Sequence, residues 1–339
     1  MTSTLAERVL AGDPRAIARA ISLIEDEDPQ SADLVRSIFG RTGRAYLIGV
    51  TGPPGAGKST LVDRLVTAFR TQRPQSARST ESTDTAEAVR KPGGSEKQGF
   101  VGVIAVDPTS PFSGGAVLGD RLRMQAHAQD GGVFIRSMAT RGHLGGLARA
   151  TGDAALVLDG AGAELVIIET VGVGQDEVDI IRTADVSIVT LVPGTGDEVQ
   201  ALKAGIMEIA DIFVVNKADR EGTDRLVSAV EANLALHNYA SGEWRPPIVK
   251  TVATSGAGVP ELVAAIAAFR AHSQPALASR RKARGEYRLR ELVSQRFMTH
   301  LERDVLERGE LAGIVDRIAS RELDPYSAAN DLLERALQR

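Results

Sequence analysis

The sequence predicts a doubly wound α/β fold, a mostly parallel sheet with helices on both faces. Three observations carry that prediction. Short runs rich in β-branched residues recur between residues 45 and 252, most of them continuously apolar rather than alternating, as in strands covered on both faces. Helix-period segments lie between several of these runs, and a repeated strand–helix–strand order joins parallel strands through crossovers. A glycine-rich turn, "GPPGAGKST", connects the first strand run directly to a helical one.

Taken in order, residues 3–38 read as helices. Leu5, Val9 and Leu10, then Ile17, Ile21 and Ile24, repeat at helical spacing, and "AGDPR" breaks the pattern into two pieces. The strand runs are "AYLIGV" (45–50), "FVGVIAV" (100–106), "GVFIRSM" (132–138), "ELVIIET" (164–170), "DVSIVTLV" (185–192), "DIFVVNK" (211–217) and "PIVKTV" (247–252). Helices are expected at 58–70, 144–159, 222–237 and 259–271. Residues 71–99 are polar, with Val89 the only aliphatic side chain larger than alanine. Such a segment buries too little surface to offset its ordering entropy and reads as a flexible insert, a linker or a regulatory element. From about residue 285 the chain turns helical again. Leu289, Leu292/Val293, Phe297, Leu301 and Val305 form an apolar stripe, which packs either on its own domain or on a second copy. Asp324–Pro325 marks the N-cap and first position of a last helix carrying Leu332, Leu333 and Leu337. The expected domains are a helical extension over 1–40, a central α/β domain over 41–272 and a helical arm over 273–339.

Composition narrows the chemistry. A net charge of −4 in 339 residues argues against nucleic-acid or membrane-surface binding, both of which leave a basic footprint. No apolar run approaches the roughly 18–20 residues that cross a bilayer, and the acidic, amphipathic N-terminus is not a signal peptide. The expectation is a soluble, cytoplasmic protein. With no cysteine, disulfides, thiolate metal sites and cysteine nucleophiles are excluded.

Residues 52–60 fit G-x-x-x-x-G-K-[ST], and the strand before and helix after are the context that turns the pattern into a phosphate-binding loop. The loop comprises Gly52, Pro53, Pro54, Gly55, Ala56, Gly57, Lys58, Ser59 and Thr60. Its glycines let backbone amides point inward at phosphate oxygens beside a helix N-terminus. Lys58 is expected at the β- and γ-phosphates and Ser59 on Mg²⁺. "NKAD" (216–219) ends another apolar strand. Asp219 can accept from both the ring N–H and the exocyclic amine of guanine, whereas adenine would leave it unpaired. GTP or GDP is therefore the expected nucleotide, with Asn216 and Lys217 bracing the loop and covering the base. "TVATSGAG" (251–258) is a candidate second base loop, placing the Ala253 amide near the guanine oxygen.

"ETVG" completes the pattern. Glu169 ends a strand where ligands of open α/β sheets bind, suited to hold Mg²⁺ directly or through water, and Gly172 offers an amide to the γ-phosphate. Asp107 and Asp120 are further carboxylates on the γ-side, and a helix cap is the alternative reading of Asp120. No arginine finger or Ras-type catalytic glutamine can be assigned, because Gln175 sits at a different offset. Slow intrinsic hydrolysis, accelerated by a partner that orders the mobile segments, follows as an expectation.

The blocks "GPPGAGKST", "AVDPTSPFSGGAVLGDRLRM", "RGHLGGLARAT", "ETVGVGQDE" and "GIMEIADIFVVNKAD" together resemble the MeaB/ArgK GTPases, chaperones associated with methylmalonyl-CoA mutase. The resemblance spans roughly residues 5–335 apart from the insert. It implies a P-loop G domain of the SIMIBI class, a helical N-terminal extension and a C-terminal dimerisation arm, hence a homodimer. It also implies Mg²⁺-dependent GTP hydrolysis that gates cofactor loading and protects an adenosylcobalamin-dependent mutase. By position it puts Asp107 and Asp120 in a first switch contributing to Mg²⁺ binding, and Glu169 and Gly172 in a second. Lys203 falls in a third mobile segment that signals to the mutase; an exposed helix lysine is its alternative reading. Asp176 replaces the family's usual serine, adding charge beside the second switch. Two other functions share the fold. A metal-insertion GTPase needs Cys/His ligands, which the absence of cysteine disfavours. A kinase linked to arginine or ornithine transport would use ATP, for which "NKAD" is poorly suited.

Overall fold

The computed structural model describes residues 3–71, 99–107, 125–127, 129–139, 146–170, 183–194, 206–307 and 309–338. The expected insert at 71–99 falls almost wholly outside them. Contacts divide the chain into two compact units, Met1–Gln274 and Pro275–Arg339.

The first unit opens with α1 (Leu5–Leu10), α2 (Pro14–Glu25) and α3 (Gln30–Phe39). Thr4 and Glu7 form a reciprocal capping box on α1, and Asp13 caps α2 ahead of Pro14, so the "AGDPR" break is a helix start with its donors satisfied. There follow β1 (Tyr46–Thr51), α4 (Lys58–Thr71), β2 (Phe100–Asp107), β3 (Val133–Ala139), α5 (Gly146–Gly160), β4 (Ala163–Glu169) and β5 (Val186–Leu191). The unit ends with β6 (Ile212–Asn216), α6 (Thr223–Leu234), β7 (Ile248–Thr251) and α7 (Val259–Ser273). The seven strands run in the order β3-β2-β4-β1-β5-β6-β7, and every pairing is parallel.

Two-sided burial explains the apolar runs. Along β4, Val166 and Ile168 join the cluster on one face while Ile167 joins the cluster on the other, the period of two that any strand imposes. The first face holds α1–α3 and α5, so the N-terminal helices share a core with β2 and β4. Val9, Ile17, Ile21, Leu34 and Ile38 are all buried there, each worth roughly 1.5–3 kcal/mol. The Arg8–Asp13 ion pair is partly exposed and lies within the bundle. Apolar contact is joined at the sheet by Arg136 of β3, which meets Glu25 and Ser22 of α2. The second face packs α4 and α7 against β1, β5 and β6, and α6 covers Val189, Phe213 and Val215.

Three acids fix the amino ends of the strands. Asp185 accepts from the Leu47 amide at 2.9 Å and returns its own amide to the Leu47 carbonyl at 2.8 Å. Asp211 does the same with Ser187, at 2.8 and 2.9 Å. Asp159, 4% exposed on α5, accepts from the amides of Gly43, Arg44 and Ala45, the last at 3.0 Å. These residues set where β1 and β5 begin, and hence where they end.

The second unit contains α8 (Leu277–His300), a π turn at Leu301–Val305, α9 (Glu310–Ala319) and α10 (Pro325–Leu337). Asp324 caps α10 by accepting from the amides of Tyr326 and Ser327. The apolar stripe divides: Leu301 and Val305 are buried with Ala336, Phe297 and Leu332, whereas Leu289, Val293 and Met298 are exposed. Arg335 grips Glu310 with two nitrogens, at 2.6 and 3.1 Å.

Two outcomes follow. Asp159→Ala leaves three amides without an acceptor, so urea unfolding should show a loss of roughly 2–4 kcal/mol. The Arg335 guanidinium, then the Glu307 amide, hold the Glu310 carboxyl down from 4.5 to about 2. A lowered folded-state pKa stabilises above the unfolded value and loses that contribution as pH falls from about 4.5 towards 2. In an NMR titration Arg335→Gln should move the Glu310 midpoint back up towards 4.5.

Candidate nucleotide site

The carboxyl end of β1 delivers the chain into the glycine-rich loop beside β4 and β5, where the strand order reverses. Ligands of open α/β sheets bind at such a point. Thr51 accepts a hydrogen bond from the Thr170 hydroxyl at 2.9 Å, and the Thr170 amide donates to the Val50 carbonyl at 3.0 Å. Gly52 (φ +139°) and Gly57 (φ +85°) occupy backbone conformations that disfavour side chains. Space enforces the same choice: a Cβ on Gly52 would overlap the Thr190 carbonyl of β5, and one on Gly57 would lie 2.5 Å from Asn216 Nδ2.

Lys58 opens α4 and is 7% exposed. Its ammonium donates to the carbonyls of Gly52 at 2.7 Å and Pro53 at 3.1 Å, which folds the side chain back across the loop. The next residue, Ser59, donates its hydroxyl to Glu169 Oε1 at 2.6 Å. Both are buried, and Glu169 is the last residue of β4. Residues 110 positions apart thus meet at the foot of the loop. Pro53 and Thr60 are half-buried and Ala56 is buried, while Pro54 and Gly55 are exposed.

Asn216 ends β6 and is 2% exposed. Its amide nitrogen donates to the Ala56 carbonyl at 2.7 Å, and its oxygen accepts from the Thr251 hydroxyl and the Ala253 amide, both at 3.1 Å. Lys217 adopts a left-handed conformation (φ +56°) and donates to the Gly55 carbonyl at 2.7 Å. The Ala253 amide, expected near a guanine oxygen, is here directed at Asn216. Asp219 is exposed on the turn that follows.

Arg64 was not anticipated. Its guanidinium, on α4, donates to the carbonyls of Ala253 at 3.0 Å and Thr254 at 2.8 Å, joining the phosphate-loop helix to the candidate base loop. A single arginine within a helix carries no sequence signal for carbonyls 189 positions away. Asp107 closes β2, two positions beyond Ala105, the register partner of Glu169; only its backbone is described. Asp120, Gly172, Gln175, Asp176 and Lys203 lie outside the described residues.

The profile of the family described as methylmalonyl Co-A mutase-associated GTPase MeaB matches residues 17–78 and 73–305. A Pyrococcus abyssi protein with GTPase in its name is 46% identical over 344 residues, covering 99% of this chain and 97% of its own. The methylmalonic aciduria type A homolog, mitochondrial, of Mus musculus is 29% identical, covering 96% and 77% respectively. A crystal structure described as a LAO/AO transport system kinase superposes with a TM-score of 0.68 at 25% identity, over 97% of this chain and 95% of that one. With matches along nearly its whole length, set on a parallel sheet whose central strand feeds a glycine-rich phosphate-loop motif, the chain belongs to the MeaB family and is a P-loop GTPase that hydrolyses GTP.

Proposed function

We propose that this GTPase acts as a chaperone for an adenosylcobalamin-dependent acyl-CoA mutase, either methylmalonyl-CoA mutase or a related enzyme. In this reading, nucleotide state gates cofactor loading and protects the mutase. The observation that carries it is the match of the mutase-associated family over residues 17–305, and the name of the mouse relative supports it.

The residue roles belong to the same proposal. Amides of residues 52–60 cradle the phosphates, and Lys58 swings from the Gly52 and Pro53 carbonyls to the β- and γ-phosphates. Asp219 accepts from the guanine ring N–H and amine. Asn216 and Lys217 hold the base loop against Ala56 and Gly55. Ser59 Oγ and Glu169 Oε1, buried and 2.6 Å apart, are hard oxygen donors of the kind Mg²⁺ takes. Mg²⁺ is usually held by one or two protein oxygens together with phosphates and water, so the pair fits. Held by Ser59 and Glu169, such an ion would supply positive charge against the negative charge that develops during phosphoryl transfer. Asp107 and Asp120 would add carboxylates on the γ-side, Gly172 an amide to the γ-phosphate, and Lys203 a contact to the mutase.

The exposed Leu289, Val293 and Met298 on α8 support a homodimer formed through the C-terminal arm. The crystal structure described as a transport system kinase makes phosphoryl transfer to a protein the rival activity. Its signature would be labelled protein in place of free phosphate.

Two experiments test the proposal. Lys58→Ala should lower GTP turnover by about 100-fold or more with an unchanged melting curve, and Ser59→Ala should raise the Mg²⁺ needed for half-maximal rate. Turnover unaltered by both would remove these residues from the site. Protein loaded with a non-hydrolysable GTP analogue should capture a cobalamin-dependent mutase, and protein supplied with GTP instead should hydrolyse it faster when that mutase is added. If no such mutase binds in any nucleotide state, the chaperone role is wrong while the GTPase assignment stands.

A further inference from the structure

At the end of the sheet opposite the glycine-rich loop, the described residues of the first unit line a cavity of about 780 Å³. Its size lies within the range of about 300–1,000 Å³ typical of small-molecule pockets. Phe69 and Ile266 supply apolar wall, and three arginines, Arg41, Arg44 and Arg270, line the same space. All three are exposed. Two carboxylates share the lining, Asp159, which accepts the amides of Gly43, Arg44 and Ala45, and Glu164, so the three guanidinium groups leave an excess of positive charge. Two of the cations are held in place. Arg270 lies over the Tyr46 ring at 4.6 Å, and Arg44 donates to the Arg41 carbonyl at 2.8 Å. A guanidinium held over a ring keeps N–H groups free to grip a carboxylate or a phosphate.

We propose that this cavity is an effector site for a small organic anion, a phosphate or carboxylate group carried on a flat apolar body. The connection to GTP lies in the elements that line it. β1 starts here at Tyr46 and ends at Thr51, immediately before the glycine-rich loop. β4 runs from Ala163 in the lining to Glu169. α4 starts at Lys58 and reaches Phe69 about 16 Å further along its axis. α7 leaves the loop containing Ala253 and arrives at Arg270. A ligand wedged between these far ends biases four packed elements whose near ends form the proposed nucleotide site. Such coupling is reciprocal, so nucleotide changes the anion's affinity by the same factor. The inference holds whichever enzyme the GTPase serves.

The test titrates full-length protein, with Mg·GDP saturating the phosphate loop, against 1-naphthyl phosphate, 1-naphthoate and neutral 1-naphthol, followed by naphthyl fluorescence. At least one anion should bind about tenfold or more tighter than naphthol, and comparing the two anions identifies the preferred head group. The pair Arg44→Gln with Arg270→Gln should weaken that anion by about tenfold, and Ala267→Trp, which puts an indole on the cavity lining, should also weaken binding. In a second titration the anion that binds more tightly should change the GDP affinity of the wild type by about threefold or more and change that of the arginine double variant less. If Ala267→Trp fails to fold, the arginine pair on the surface decides. The proposal is overturned if the anions bind no tighter than naphthol, if neither variant alters binding, or if GDP affinity ignores the bound anion. Binding that appears only after residues 72–98 are deleted also overturns it, because the occupant would then be this chain.

Discussion

One buried carboxamide organises the upper end of the sheet. Asn216 lies at the end of β6, and its side chain joins two pieces of chain: the carbonyl of Ala56 in the glycine-rich loop, and the end of β7, where it meets the hydroxyl of Thr251, its register partner, and the amide of Ala253 just beyond. A carboxamide has two donors and two acceptor positions, and three of these are occupied by fixed partners here. Being 2% exposed, it makes these bonds away from competing water, where losing one leaves an unsatisfied polar group costing roughly 1–3 kcal/mol. Asparagine is specific in this place. Aspartate would face the Ala56 carbonyl with like partial charge, and glutamine would overreach. Gly57 shares the constraint, since only the absence of a side chain lets the loop pass so close to Asn216.

The lower end of the sheet is fastened by different chemistry. Asp159, Asp185 and Asp211 place carboxylates on backbone amides at strand entrances, and so fix where each strand begins. In a parallel sheet the start of a strand also determines which residue reaches the far end, because the rise per residue is nearly constant. These carboxylates thereby help bring Thr51 and Asn216 to the level at which their loops meet. The fold thus separates two tasks. Apolar packing on both faces supplies stability, and a few buried polar contacts supply register.

How far the sequence revealed this depended on the range of each constraint. Strands were legible because double coverage keeps their residues nearly continuously apolar, as in β4, where Leu165–Ile168 are an unbroken aliphatic run. The break between α1 and α2 was legible because Asp13 and Pro14 are local signals. The start of α3 was not separated from α2, although Asp28 and Pro29 repeat that local signal and Asp28 accepts from the Gln30 amide at 2.8 Å. The glycine-rich loop could be read directly because phosphate chemistry demands glycine at set spacings. By contrast, the placement of β1 between β4 and β5, the Asp159 anchor and the Arg64 clamp depend on contacts more than a hundred residues apart. No local pattern encodes such pairings. The apolar stripe looked uniform in sequence, yet Leu301 and Val305 are core while Leu289, Val293 and Met298 are exposed, a difference created by Leu332 and Ala336 of α10.

If Asn216 holds the glycine-rich loop and the loop at 251–257 as one unit, loosening it must loosen both together. Hydrogen–deuterium exchange on Asn216→Ala measures this directly. The account predicts faster exchange in Gly55–Lys58 and Val252–Ala257 alike, with the interior amides of β1 and β4 still protected. Unchanged protection in both loops, or loss confined to the turn after β6, would contradict it.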